Sequence, residues 1–195
     1  REGQRICILI DLPDPARMKN FEFLKNPELP IQANAVNFFH KPLHARVMKE
    51  LGLQGGGIFA YKITGGSNLD LPDEAVTPEG TTVSLEKDIY PDHDIILCVS
   101  TYSATAPLTA FAKQYKFRGA TLHGVNPTIL RTGLSVSYDD VSIDAEKMRL
   151  GMTKADWVEI DFLYSGKTHT LRLELGGQEA QKSHGLCRGD EPDVA

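Results

Sequence analysis

The sequence predicts an α/β protein: a Rossmann-like open, mostly parallel sheet with helices on both faces, followed by the start of a β-rich second domain. Three observations carry this. A continuous apolar run at Ile6 to Leu12 suits a strand buried on both faces of a parallel sheet, and Ile58 to Ile63 and Asp94 to Ser100 read as further strands. From residue 6 to 151 such runs alternate with segments of helical periodicity, the pattern of βαβ units. After residue 163 the texture changes to strict alternation, which reads as an antiparallel hairpin. The expected division is therefore an α/β domain over 1–165 and a second, β-rich domain beginning at 166 and running to 195.

The elements follow in order. Pro13 closes the first strand, and 13–32, rich in Pro, Asn and Lys, reads as a long loop with about one turn of helix. Leu43, Val47, Met48 and Leu51 form one helical face, with Pro42 in the first turn and Gly52 as the stop. Gly55-Gly56-Gly57 leads into the second strand. Residues 69–91 form a polar excursion, in which Thr81 to Leu85 suits a short edge strand. The strand at 94–100 is followed by a helix over 107–116, with Pro107 at its first position and Leu108, Phe111, Ala112 and Tyr115 on its apolar face. Gly119 to Gly124 is a further short strand, and Asn126-Pro127-Thr128 starts a turn or short helix. Val141 to Gly151 reads as a helix with Ile143, Met148 and Leu150 inward, and Trp157 to Phe162 as a strand. Leu171, Leu173 and Leu175 share one face of the last strand, closed by Gly176-Gly177.

Composition limits the function. Of 195 residues, 41% are hydrophobic and 24% charged, the balance of a globular chain. The net charge is -5, and no Lys/Arg stripe with interleaved aromatics is present, so no nucleic-acid partner is expected. No apolar stretch is long enough to span a bilayer, so no membrane partner is expected. Cys7, Cys98 and Cys187 are far apart. The first two sit in apolar runs and read as small buried hydrophobes, consistent with a reducing cytoplasm. The chain opens almost directly on a strand, without Met, and stops in a polar run; this reads as a domain cut from a larger protein.

Few constellations suggest chemistry. Gly55 to Gly57 precedes a strand, whereas a dinucleotide fingerprint follows one and opens a helix. Ser100-Thr101-Tyr102-Ser103-Ala104-Thr105 lies between a strand and a helix start, so its hydroxyls and free N–H groups suit a carboxylate or phosphate. The simpler role is that Ser103 or Thr105 caps the helix. Ligand crevices in open α/β sheets form at the carboxyl ends of strands, which groups Thr64 to Ser67, Ser100 to Ser103 and His123 to Asn126. The candidate cleft is thus Ser100, Thr101, Ser103, His123 and Asn126, with no residue assigned as catalytic. His123 could serve as a base or bond a carbonyl, and His169 is read on the polar phase of the hairpin. His40 and His44 are four apart, a metal-binding spacing, but Pro42 between them argues against a continuous helix there. His184, Cys187, Asp190, Glu191 and Asp193 match no closed metal site and read as a solvated turn.

Four segments in order resemble a known family: Ser100-Thr-Tyr-Ser-Ala-Thr-Ala-Pro-Leu108, Arg118-Gly-Ala-Thr-Leu-His-Gly-Val125, Thr153-Lys-Ala-Asp-Trp-Val158 and Gly166-Lys-Thr-His-Thr-Leu-Arg-Leu-Glu-Leu175. Their order resembles the aminopeptidase T type of thermophilic metallo-aminopeptidases, and is similar to the related iron-dependent 2,5-dihydroxypyridine dioxygenases. The 64–93 excursion departs from the aminopeptidases. The resemblance implies an α/β N-terminal domain, a β-rich domain carrying the metal, and a homo-oligomer. It implies a divalent metal (zinc, cobalt or iron) in the full-length protein, with its ligands beyond residue 195 and none on these residues. The implied activity is removal of N-terminal amino acids from peptides by metal-activated water. The alternatives are a non-haem iron ring-cleaving dioxygenase acting on a small molecule, and a non-catalytic binding or oligomerisation domain.

Overall fold

The structure, a computed structural model, describes residues 2–182, 185, 186 and 194. The chain forms two compact units, one running to Ser135, to which Val194 returns, and one of Val136–Leu186.

The first unit is a mixed α/β structure on a six-stranded, mostly parallel sheet. Its strands are β1 (Arg5–Leu12), β2 (Gln54–Lys62), β3 (Glu74–Val76), β4 (Thr82–Ser84), β5 (Ile95–Val99) and β6 (Arg118–Thr121). They lie in the order β4-β3-β2-β1-β5-β6. β1 pairs in parallel with both β2 and β5, and β5 with β6, while β3 and β4 form an antiparallel hairpin on the β2 edge. The edge strand expected at Thr81 to Leu85 is β4. Strand order reverses between β1 and β5, so the topological switch point lies at their carboxyl ends.

Alternation along β1 divides the core. Cys7 and Leu9 pack on one face with Leu108 and Ala112, while Ile8 and Ile10 pack on the other with Ala35 and Val36. The apolar run at 6–12 is continuous because both faces are covered. The two expected buried cysteines, Cys7 and Cys98, are fully buried and unpaired.

Residues 13–32 depart from the expected loop. Pro15–Lys25 holds short helical turns broken by non-helical Lys19, Asn20 and Phe21. A long helix, α1, then runs over 30–51, well before the start suggested by Leu43. Its first turns bury Gln32, Ala35 and Val36, a face that a polar residue hides from an apolar-periodicity reading. The helix passes through Pro42, whose backbone is helical (φ -63, ψ -34). It does so with widened turns on either side. The Lys41 N–H donates to Val36 O and the Met48 N–H to Leu43 O, one residue further back than in an α-helix. Gly52, left-handed at φ 64, ends it as expected. α2 (Thr105–Tyr115) buries Leu108 and Ala112, and α3 (Pro127–Arg131) follows β6.

The second unit contains α4 (Tyr138–Lys154) and an antiparallel hairpin of β7 (Trp157–Tyr164) and β8 (Lys167–Glu174). The expected domain boundary at 165 falls in this hairpin's turn, at Ser165 (φ 49) and Gly166 (φ 73), whereas the seam lies between Ser135 and Val136. The texture change marked a turn inside the unit, and α4 groups with the hairpin. Ile143, Met148 and Leu150, expected to face inward, are exposed, and α4 has no buried residue. Leu175 lies past the end of β8. His169 pairs across from Phe162, on the same strand face as Leu171 and Leu173. Parity therefore places it on the apolar phase, not the polar one, although it is exposed.

Candidate functional site

The predicted cleft residues lie at the carboxyl edge of the sheet, where the structure spends most of their polar atoms on one another. Asp11, at the end of β1, is buried at the switch point. The Thr101 backbone N–H donates to both its oxygens (3.0 and 2.9 Å), and the Thr101 hydroxyl and Gln32 Nε2 donate to Oδ1 (3.2 and 2.6 Å). Burial pushes its pKa up from the usual carboxylate range, against the opposing pull of the bonds from Gln32 and Thr101. This one carboxylate ties β1, the exit of β5 and α1 together.

Ser100 is fully buried and donates to Tyr102 O (2.6 Å), while its own carbonyl accepts from Gly124 N (2.9 Å). Cys98, beneath it, bonds Tyr61 and Ser100, and burial raises its thiol to about 11. Ser103 is held by the loop after β2. The Asn68 N–H donates to Ser103 O (2.7 Å), and the Ser103 hydroxyl donates to Asn68 Oδ1 (3.3 Å). That Oδ1 also accepts from Ala106 N (3.1 Å) in the first turn of α2, and Ser103 Oγ accepts from Thr105 N (3.4 Å). Thr105 and Thr121 share a 2.6 Å hydroxyl contact that links α2 to β6. The free N–H groups expected to meet an anion at this helix start thus have protein acceptors.

His123 and Asn126 are exposed. Asn126 caps α3, accepting from Thr128 N (2.9 Å) and Ile129 N (3.1 Å). The structure therefore joins 64–68 to 100–106 and links the exit of β6 through Thr121 and Gly124. Asp11, Gln32 and Asn68 were missed by sequence reasoning. An acid closing an apolar strand was the available signal for Asp11; Asn68 had none beyond its place in a loop.

A second cluster lies towards the amino end of β2, in an open pocket of about 450 Å³ lined by residues of α1, β2, the β3–β4 turn and Phe21. Its floor is Gly55 to Gly57. The β1–β2 register slips there, with Ile6 opposite Gly55 and Cys7 opposite Gly57, so Gly56 bulges out. Gly56 has φ +81, and a Cβ on it would lie 2.7 Å from Met48 Sδ and 2.8 Å from His44 Cε1, so any other residue is strained and must displace both side chains. The bulge brings the Gly56 carbonyl to His44, whose Nε2–H donates to it at 2.8 Å. His40 stands one helical turn away, its ring centroid 4.7 Å from that of His44 and 5.7 Å from that of Phe21. Burial, and secondarily His44, lower the His40 pKa. Phe21 holds φ +55, a rare conformation for a bulky residue, beside Asn20 (φ 52), whose N–H donates to Pro78 O at 2.7 Å. Glu79 lines the same pocket. The Pro42 objection to a shared face for His40 and His44 is thus overturned, because the widened turns carry the helix through.

Among the described residues, no group of three or more His, Cys, Asp and Glu side chains could hold a metal ion. The metal implied by the resemblance therefore has no fitting centre among them, and no catalytic step is assigned through one. His184, Cys187, Asp190, Glu191 and Asp193 lie outside the described residues. No helix among the described residues is long and apolar enough to cross a membrane. Comparison with protein-family models, with curated proteins and with solved structures finds no match.

Proposed function

We propose that this chain is the Rossmann-like α/β portion of a metal-dependent hydrolase resembling aminopeptidase T, in which it walls the peptide cleft and supplies an oligomer surface. The observation that supports this reading is the convergence of 64–68, 100–106 and 121–126 at the carboxyl edge of the parallel sheet, where open α/β sheets take ligands. The first two resembling segments, Ser100 to Leu108 and Arg118 to Val125, supply much of that edge. In this reading Ser100, Thr101 and Ser103 shape the wall through their bonds to Tyr102, Asp11 and Asn68, and His123 and Asn126 are exposed on the same edge. The proposed substrate is a peptide with a free N-terminus, and the proposed compartment is the reducing cytoplasm, where the unpaired Cys7 and Cys98 are at home. The metal ligands are assigned to no residue of this chain.

The test is metal analysis of the full-length protein together with hydrolysis of leucine p-nitroanilide. Hydrolysis that is lost on chelation and restored by zinc or cobalt is the expected result. Full metal loading without hydrolysis would overturn the reading, and ring cleavage of 2,5-dihydroxypyridine in its place would assign the iron chemistry instead.

A further inference from the structure

We propose that His40 and His44 form a two-imidazole site for a divalent transition-metal ion of the zinc or nickel class, whose remaining positions are open to solvent or to a ligand entering the pocket. The proposal is independent of the hydrolase reading and concerns the opposite end of β2.

Four observations converge on it. First, the two rings are neighbours on α1, with centroids 4.7 Å apart. Two metal–nitrogen bonds of about 2.0–2.1 Å at a tetrahedral angle place the bonded nitrogens roughly 3.3 Å apart; the ring planes now meet edge to face at 66°, so side-chain rotation of His40 brings its nitrogen to that separation. Second, His44 donates its Nε2–H to the Gly56 carbonyl. That bond fixes the tautomer and leaves Nδ1 with its lone pair, and a carbonyl behind the imidazole is the usual support of a metal-ligating histidine. Third, His40 makes only ring contacts, with Phe21 and His44, among the described residues, so a nitrogen lone pair is available in either tautomer. Fourth, the surroundings are built for the pair. The turns of α1 are widened at Ala35–His40 and Leu43–Val47, Gly56 is bulged and any side chain on it would push against Met48 and His44, and Phe21 is held in a rare backbone conformation beside His40. Widened helical turns, β-bulges and backbone outliers each concentrate at functional sites; here all three surround one pocket.

The experiment is titration of the full chain with Zn²⁺ and Ni²⁺, followed by calorimetry and by the imidazole ¹H–¹⁵N resonances. One ion is expected, with the His40 and His44 resonances shifting together and those of His123 and His169 unmoved. His40→Gln and His44→Gln are each expected to weaken binding at least tenfold, and His123→Gln to leave it unchanged. His40→Gln removes no hydrogen bond among the described residues, so it keeps the test valid if His44→Gln disturbs the Gly56 contact; far-UV circular dichroism monitors both. Absence of zinc and nickel binding, or undiminished binding in the His40→Gln/His44→Gln double variant, would overturn the proposal. A hydrolytic metal held elsewhere in a longer protein would persist in that double variant, so the two proposals fail separately.

Discussion

At the scale of single residues, Asp11 and Gly56 carry opposite kinds of constraint. Asp11 is buried and fully bonded, and its raised pKa means that the folded protein holds the proton more tightly than the unfolded chain. Its contribution to stability is therefore complete below the ordinary carboxylate pKa and is lost as pH rises through the higher folded value. Urea midpoints measured at rising pH should fall across that window, and Asp11→Asn should flatten the fall. Asp11→Ala leaves Thr101 N and Gln32 Nε2 without their acceptor, and should cost about 2–4 kcal/mol in the same measurement. Gly56 is constrained by space as well as by conformation. Gly56→Ala must push Met48 and His44 aside, whereas a Cβ added to Gly65, at a similar φ of +79, would meet nothing within 4 Å. Thermal denaturation should show roughly 1 kcal/mol lost for Gly65→Ala, from the left-handed backbone alone, and at least twice that for Gly56→Ala.

Capping contacts decide the element scale. Asn126→Ala removes the acceptor of two N–H groups at the start of α3 and should cost about 1 kcal/mol. Asn68→Ala should cost more, because Asn68 Oδ1 serves both the first turn of α2 and the Ser103 hydroxyl, and the residue holds φ 60, which alanine adopts less readily than asparagine. Stability to urea checks both. The strands of the parallel sheet were legible because burial on two faces leaves an unmistakable apolar run, as at 6–12 and 94–100. α2 was legible from its apolar face, but it starts at Thr105, so Pro107 sits third in the helix and not at its first position. α1 was legible only in its second half. Its first half buries a Gln that bonds Asp11, a tertiary contact that apolar periodicity cannot register, and its passage through Pro42 depends on widened turns that no propensity predicts. The candidate edge was half legible: the rule for strand ends located Ser100 to Ser103, but Asn68 reaches Ser103 only through the path of the folded chain.

At the scale of the whole molecule, the two units differ in what holds them. β1 is buried at seven of its eight positions and paired on both sides, so its amides open only when the core opens. In Val136–Leu186, neither α4 nor either strand of the hairpin has a buried residue. Phe162 is 48% exposed and Leu163 80%. What local order this unit has comes from the β7–β8 ladder, from Arg172 stacked 4.2 Å over the Trp157 ring, and from Glu146 bound by Arg149 and Lys182, which hold its pKa down at about 2. A two-stranded hairpin is marginal when nothing packs on it, and exposed ion pairs add little. Hydrogen exchange should therefore separate the units. Amides of β1 and β5 should exchange at the rate of global unfolding and slow in step with added stability, whereas those of β7 and β8 should exchange faster by local opening, with little dependence on denaturant. Equal protection of the hairpin and β1 would mean that the apolar side chains of β7 and β8 are covered in solution by a surface they do not meet within their own unit.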